Sequence, residues 1–282
     1  MDNCISSSYQ YKKHKCALCA YRSVHRWAVK RHYKSKHLYN KLQNEEIMNK
    51  AQIIPSGIEA HIDSSQQSNK YDLRWIENFK IYITGSSRCG KTYLVSKILL
   101  HLKELAKKPP SVIVYVYSTW QEKYNEMMNV VNYFLEDDNN IQEKIEKVTK
   151  NESSLIILDD MLHSKNLPYF KQLFTVQARH DGKSVIFLSQ KMFTSDENIR
   201  LISQNTDYLI VFKNARNSLQ INTLAGQMGS KSTIVDIYRK ATKDPFSYLF
   251  FDVTQECPAE LKFRSHLFDE PHIIRVYVEN QP

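Results

Sequence analysis

The chain has 282 residues, 42% hydrophobic and 24% charged, with five cysteines and a net charge of +9. These figures exclude a disordered, collagenous or disulfide-stapled chain. No apolar run approaches the ~20 residues of a membrane span, and the start MDNCISSSYQ lacks the pattern of a secretory signal, so an intracellular protein with no membrane contact is expected.

The charge is concentrated at the N-terminus. Residues 1–41 hold ten Lys or Arg against the single acid Asp2, so the other 241 positions balance at 29 of each sign. Such asymmetry predicts a short polyanion-binding head on a neutral body. Within the head, Cys16 and Cys19 are followed by twelve residues, His32, four more and His37. At this spacing a two-stranded knuckle presents two thiolates, and a short helix two imidazoles, to a tetrahedral Zn2+. So small a segment buries too little core to fold unaided, and the metal would supply its folding energy. Residues 14–38 thus resemble a single ββα Cys2His2 zinc finger, with His14 where such fingers usually carry an aromatic residue. Docked as such fingers dock, His25, Ala28 and Arg31 reach base edges while Lys30, Lys34 and Lys36 lie near phosphates. One finger reads about three base pairs. That is too few to select a genomic site, which leaves an auxiliary grip on DNA or RNA, or a protein contact.

Residues 42–70 are polar and interrupted by Pro55, Ser56 and Gly57, and read as linker. From 71 to 282 short apolar runs alternate with amphipathic stretches, the pattern of a layered α/β domain. Strands are predicted at Phe79–Thr84, Val112–Tyr117, Leu155–Leu158, Val185–Ser189, Tyr208–Phe212 and Tyr248–Val253. A helix over Lys91–Lys107 presents Leu94, Ile98, Leu102 and Leu105 on one face and ends before Pro109 and Pro110. Another starts at Pro168 and presents Phe170, Leu173 and Phe174.

The first of these strands runs into Gly85-Ser86-Ser87-Arg88-Cys89-Gly90-Lys91-Thr92 and then a helix, which is the P-loop pattern in its required setting. Two glycines let successive N–H groups point at phosphate oxygens, and the helix N-terminus adds its positive end. Lys91 would reach the β- and γ-phosphates of ATP, and Thr92 would place its hydroxyl on Mg2+. Cys89 reads as a small filler. The strand Leu155–Leu158 ends in Asp159 and Asp160. Asp159 would hold the Mg2+ through water, the Walker B role, and Asp160 would polarise the attacking water as base or orienter. Asp159 lies 68 positions beyond Lys91, room for an intervening strand and helices, which suits the RecA-like, additional-strand class of P-loop ATPases with a mostly parallel central sheet. Gln190, at the tip of VIFLSQ, is placed to sense the γ-phosphate if that strand lies between the two motif strands. Arg179, in ARH before it, is a candidate arginine finger for a neighbouring subunit.

With GSSRCGKT, LIILDD, ARH before VIFLSQ, and NTDYLIVFKNARN in place, residues 75–253 resemble the poxvirus-type genome packaging ATPases of the FtsK–HerA superfamily, found in large DNA viruses and Polinton (Maverick) elements. The resemblance implies a homo-oligomeric, hexameric ring that hydrolyses ATP and threads double-stranded DNA into a capsid, with a capsid or portal protein as partner. It also implies work in a host nucleus or viral assembly site. Asp160 departs from the Glu common across the wider superfamily, and the finger is not a general feature of it. Two other readings use the same residues: another P-loop DNA motor, such as a helicase or replication ATPase, and a zinc-finger regulator with a nucleotide switch.

Overall fold

The computed structural model describes residues 14–15, 22–23, 51–55, 72–214, 218–229, 231–268 and 274–278. The chain divides into two compact units, Met1–Glu46 and Ile47–Pro282. In the first, β1 (His14–Lys15) and β2 (Arg22–Ser23) pair antiparallel, with His14 opposite Ser23 and Lys15 opposite Arg22.

The second unit is built on a ten-stranded sheet. Its strands are β3 (Ala51–Pro55), β4 (Lys80–Thr84), β5 (Val112–Tyr117), β6 (Tyr133–Glu136), β7 (Ser154–Asp159), β8 (Lys183–Ser189), β9 (Tyr208–Phe212), β10 (Tyr248–Asp252), β11 (Phe263–Ser265) and β12 (Ile274–Val278). They lie in the order β3-β12-β11-β10-β9-β4-β8-β7-β5-β6. From β9 through β6 every neighbouring pair is parallel. Beyond β9 the sheet continues antiparallel through β10, β11 and β12, and β3 closes that edge parallel to β12.

Strands covered on both faces read as continuous apolar runs, and β4, β7, β8 and β9 are buried along their whole length. The pleat sends alternate side chains to opposite faces. Ile81 and Ile83 join the cluster that contains Leu94, Val95, Ile98 and Leu99 of α1 (Lys91–Leu100). Tyr82 joins the other cluster, with Phe170 of α4 (Leu167–Gln172) and Ile199 and Ile202 of α5 (Glu197–Gln204). Between these helices lie α2 (Leu102–Leu105) and α3 (Ile141–Val148), while α6 (Ser218–Gln227) and α7 (Lys231–Ala241) fill the crossover from β9 to β10.

Two expectations need correction. The helix expected over Lys91–Lys107 breaks at His101, and its continuation α2 stops at Leu105. There the backbone turns to pair with Trp75: Trp75 N–H donates to Leu105 O (2.6 Å) and Lys107 N–H to Trp75 O (2.9 Å). Within the segment 42–70, read as linker, Ala51–Pro55 is a strand. Its register places Ile53 opposite Val276 and Ile54 opposite Tyr277, with Pro55 at the strand's end, where edge strands tolerate a missing donor. The short strands β6, β11 and β12 were also not anticipated.

Candidate nucleotide site

The strand order places β8 between β4 and β7, so the residues following three adjacent parallel strands meet at one edge. Gly85 follows β4, Gln190 follows β8, and Asp159 ends β7, with Asp160 next. Gly85 N–H donates to Ser189 O (3.2 Å), which ties the start of the P-loop to the end of β8. The turn carrying Gln190 is fixed by Ser189 Oγ and Tyr82 Oη, which donate to Lys191 O at 2.6 and 2.8 Å.

The P-loop needs its glycines here for distinct reasons. A Cβ on Gly85 would stand 2.6 Å from Phe212 Cβ and 2.7 Å from Cys89 Sγ, too close for either neighbour to accommodate. Gly90 caps α1 at φ 108°, a conformation that side chains rarely adopt. Between them Arg88 also has positive φ, 64°. Cys89 is buried against the loop, and burial pushes its thiol up, so it is the inert filler expected rather than a reactive thiolate. Lys91 Nζ donates to Gly85 O (2.8 Å) and Ser86 O (3.0 Å), holding its charge over the mouth of the loop.

Asp159 is 5% exposed, and both Tyr115 Oη (2.6 Å) and Tyr124 Oη (3.0 Å) donate to its Oδ2. Burial holds the carboxyl above the ordinary Asp range, while the two tyrosine hydroxyls and the charge of Lys91 pull the other way. Tyr124, in the 3-10 turn Glu122–Met127, packs edge-on against Trp120. No motif in the sequence marks Tyr115 or Tyr124 as a partner of Asp159. The available signal was a phenol inside the otherwise aliphatic run VIVYVY, since a buried hydroxyl requires a partner. Asp160 sits at φ 61°, unusual for a residue with a Cβ. Gln190 Nε2 reaches its Oδ1 at 3.4 Å. The strand order thus brings Asp160 and Gln190 to 3.4 Å of one another, with Lys91 near enough for its charge to act on Asp159.

Arg179 belongs to the last helical turn, Ala178–His180, which follows a π-helical turn at Leu173–Gln177 and precedes β8. It enters β8 at the end opposite Gln190, and a seven-residue strand spans roughly 20 Å. The expected zinc ligands Cys16, Cys19, His32 and His37, and the expected nucleic-acid contacts His25, Ala28, Lys30, Arg31 and Lys34, lie outside the described residues. Among the described residues no group of three or more His, Cys, Asp or Glu is placed to hold a metal ion, and no helix is long and apolar enough to cross a membrane.

A family model described as the NB-ARC domain matches residues 68–207, just under half of the chain. The fold is that of a P-loop NTPase. No curated protein matches it. Among solved structures, the cytoplasmic domain of EssC shares 18% identity at a TM-score of 0.43, covering 57% of this chain and 36% of that one. EccC of Thermomonospora curvata, ATPases 2 and 3 in complex with a signal sequence peptide, shares 12% at 0.37, covering 48% and 30%. The flagellar accessory protein FlaH of Methanocaldococcus jannaschii shares 14% at 0.33, covering 49% and 72%. The chain spans about a third of the EssC and EccC structures.

The donor set of this P-loop fits a Mg2+-bound nucleoside triphosphate. The Gly85 approach leaves backbone rather than side chain facing the cradle, Lys91 supplies a cation, and the Thr92 hydroxyl and Asp159 carboxylate are the hard oxygen donors Mg2+ takes together with substrate phosphates. When bound, the ion neutralises phosphate charge.

Proposed function

We propose that the chain hydrolyses ATP to move double-stranded DNA, as the motor that packages a viral or virus-like genome into a capsid. The observation that carries the reading is the constellation at the end of β4, β8 and β7. Lys91 holds phosphate, Asp159 serves the metal, and Asp160 with Gln190 orients and deprotonates water, so binding and hydrolysis use separate groups. Arg179 stands a strand's length from Gln190, which supports its acting on a neighbouring copy and hence a ring, hexameric in this reading. The excess charge of residues 1–41 supports a polyanion as the thing moved. The β1–β2 pairing on either side of the Cys16–Cys19 segment supports the zinc finger. On this account residues 71–282 are the motor and 1–41 an accessory grip, and the protein works with a capsid or portal partner.

The test is ATP turnover with and without long duplex DNA. Stimulation without strand separation is expected. Turnover indifferent to DNA would favour a nucleotide-switched regulator, and strand separation a helicase. Arg179→Ala should lose the stimulated turnover, and mixing it with Asp160→Asn should restore part of it, because some interfaces then pair an intact arginine with an intact site. No recovery at any ratio would overturn the role in trans.

A further inference from the structure

Phe246 lies in the turn between α7 and β10 and is 69% exposed, an unusual place for a phenyl ring. Its backbone φ is 62°. Bulky residues avoid this left-handed conformation, and it persists where the surroundings impose it. Here they do so. Lys213 N–H donates to Ser247 O (3.0 Å), Lys213 Nζ to Lys243 O (2.6 Å), and Ser247 Oγ to Asp244 O (2.5 Å). The turn is thus tied to the end of β9, and it holds an aromatic side chain in solvent.

Its neighbour is the P-loop. Phe246 Cβ is 3.9 Å from the point where a Cβ on Gly90 would stand. The strand order fixes which side of the loop this is. Asp159, Asp160 and Gln190 lie on the β7 and β8 side of β4, while β9 and β10 lie on the other. The water-orienting pair marks where the terminal phosphate ends, so the nucleoside must leave the cradle away from it, toward β9 and β10. A planar base leaving in that direction meets Phe246.

We propose that Phe246 is the platform on which the base of the nucleotide stacks. The inference rests on the reading of Gly85–Thr92 as the phosphate cradle. The ligand is a nucleoside triphosphate recognised by the face of an aromatic base, and stacking of this kind tolerates any base because each has a π-face.

The experiment compares two ligands that share phosphates and differ in the base: ATP and inorganic tripolyphosphate, each with Mg2+, measured by equilibrium binding to the full chain. Phe246→Ala should weaken ATP by about tenfold and leave tripolyphosphate unchanged. Phe246→Trp should restore ATP affinity. Lys91→Ala should weaken both ligands, so a failure of the cradle reading is distinct from a failure of the stacking one. Unchanged ATP affinity in Phe246→Ala, or equal losses for the two ligands, would overturn the proposal. As a second measurement, 2-aminopurine riboside triphosphate, whose emission falls on stacking, should be quenched on binding the parent and not on binding Phe246→Ala. Equal quenching in both proteins would also overturn it.

Discussion

Lys91 donates to two carbonyls of the loop it extends from, an arrangement in which its charge is already poised at the cradle and needs only to exchange partners. Lys91→Ala should therefore abolish nucleotide binding. Asp160→Asn should preserve binding and lower turnover by about 100-fold or more, the scale of a lost general base. Asn is tolerated at the positive φ of residue 160 as Asp is, so the backbone stays in place. Equilibrium binding and steady-state turnover of the two variants check this. Asp159 invites the opposite kind of measurement. Burial raises its pKa, so its contribution to stability is present below the unfolded-state value near 4 and is lost as pH rises through the higher folded value. At neutral pH the ionised group opposes folding. Asp159→Asn should thus raise Tm by a few degrees in the nucleotide-free protein while removing the Mg2+ dependence of ATP binding, a trade of activity for stability. A lower Tm at pH 7 would show that the tyrosine hydrogen bonds outweigh the burial.

At the scale of elements, what could be read in the sequence follows burial. The strands Val112–Tyr117 and Tyr208–Phe212 match their predicted limits because parallel strands covered on both faces give unbroken apolar runs. Gln190 stands out in the sequence as the polar residue at the tip of an apolar run, whereas the place of its strand between β4 and β7 is set by the sheet. β6, β11, β12 and β3 were missed for a common reason: YFLE, FRS, IRVYV and AQIIP are short, and their pairing partners are set by the sheet rather than by local sequence. Tyr115 and Tyr124 were not seen as partners of Asp159, since 44 and 35 positions separate each from it. The break at His101 depended likewise on a distant backbone, that of Trp75. β12 offers a test, because it lies between β11 and β3 and Val276 is fully buried. Val276→Pro removes a ladder donor and should cost about 3 kcal/mol or more. Thermal unfolding should report the loss, and a variant of parental Tm would show that this end of the sheet contributes little.

The whole molecule separates charge from catalysis. Residues 1–41 carry the entire net charge, while the P-loop and the aspartate pair lie in the remaining 241 residues, whose charges balance. Removing residues 1–41 should weaken DNA binding and flatten its dependence on salt, because fewer counterions are then released. Basal ATP hydrolysis should persist. Binding measured at two or more salt concentrations for the full and shortened chains checks this, and identical affinities and slopes would assign the head to a protein contact.

The two tyrosines on Asp159 also make its carboxylate lopsided. Both hydroxyls occupy Oδ2, and among the described residues Oδ1 accepts no hydrogen bond. A group with one oxygen engaged can meet a cation through the other alone, and it is ill suited to wrap an ion with both. Mg2+ accepts single-oxygen contacts in a small octahedron, whereas Ca2+ favours a larger and often two-oxygen grip. Toward an ion accompanying the nucleotide, such a carboxylate would favour Mg2+ over Ca2+. ATP affinity supported by Mg2+ should exceed that supported by Ca2+, and Tyr115→Phe with Tyr124→Phe should narrow the gap by freeing the second oxygen. A gap unchanged in the double variant would place ion choice elsewhere in the cradle.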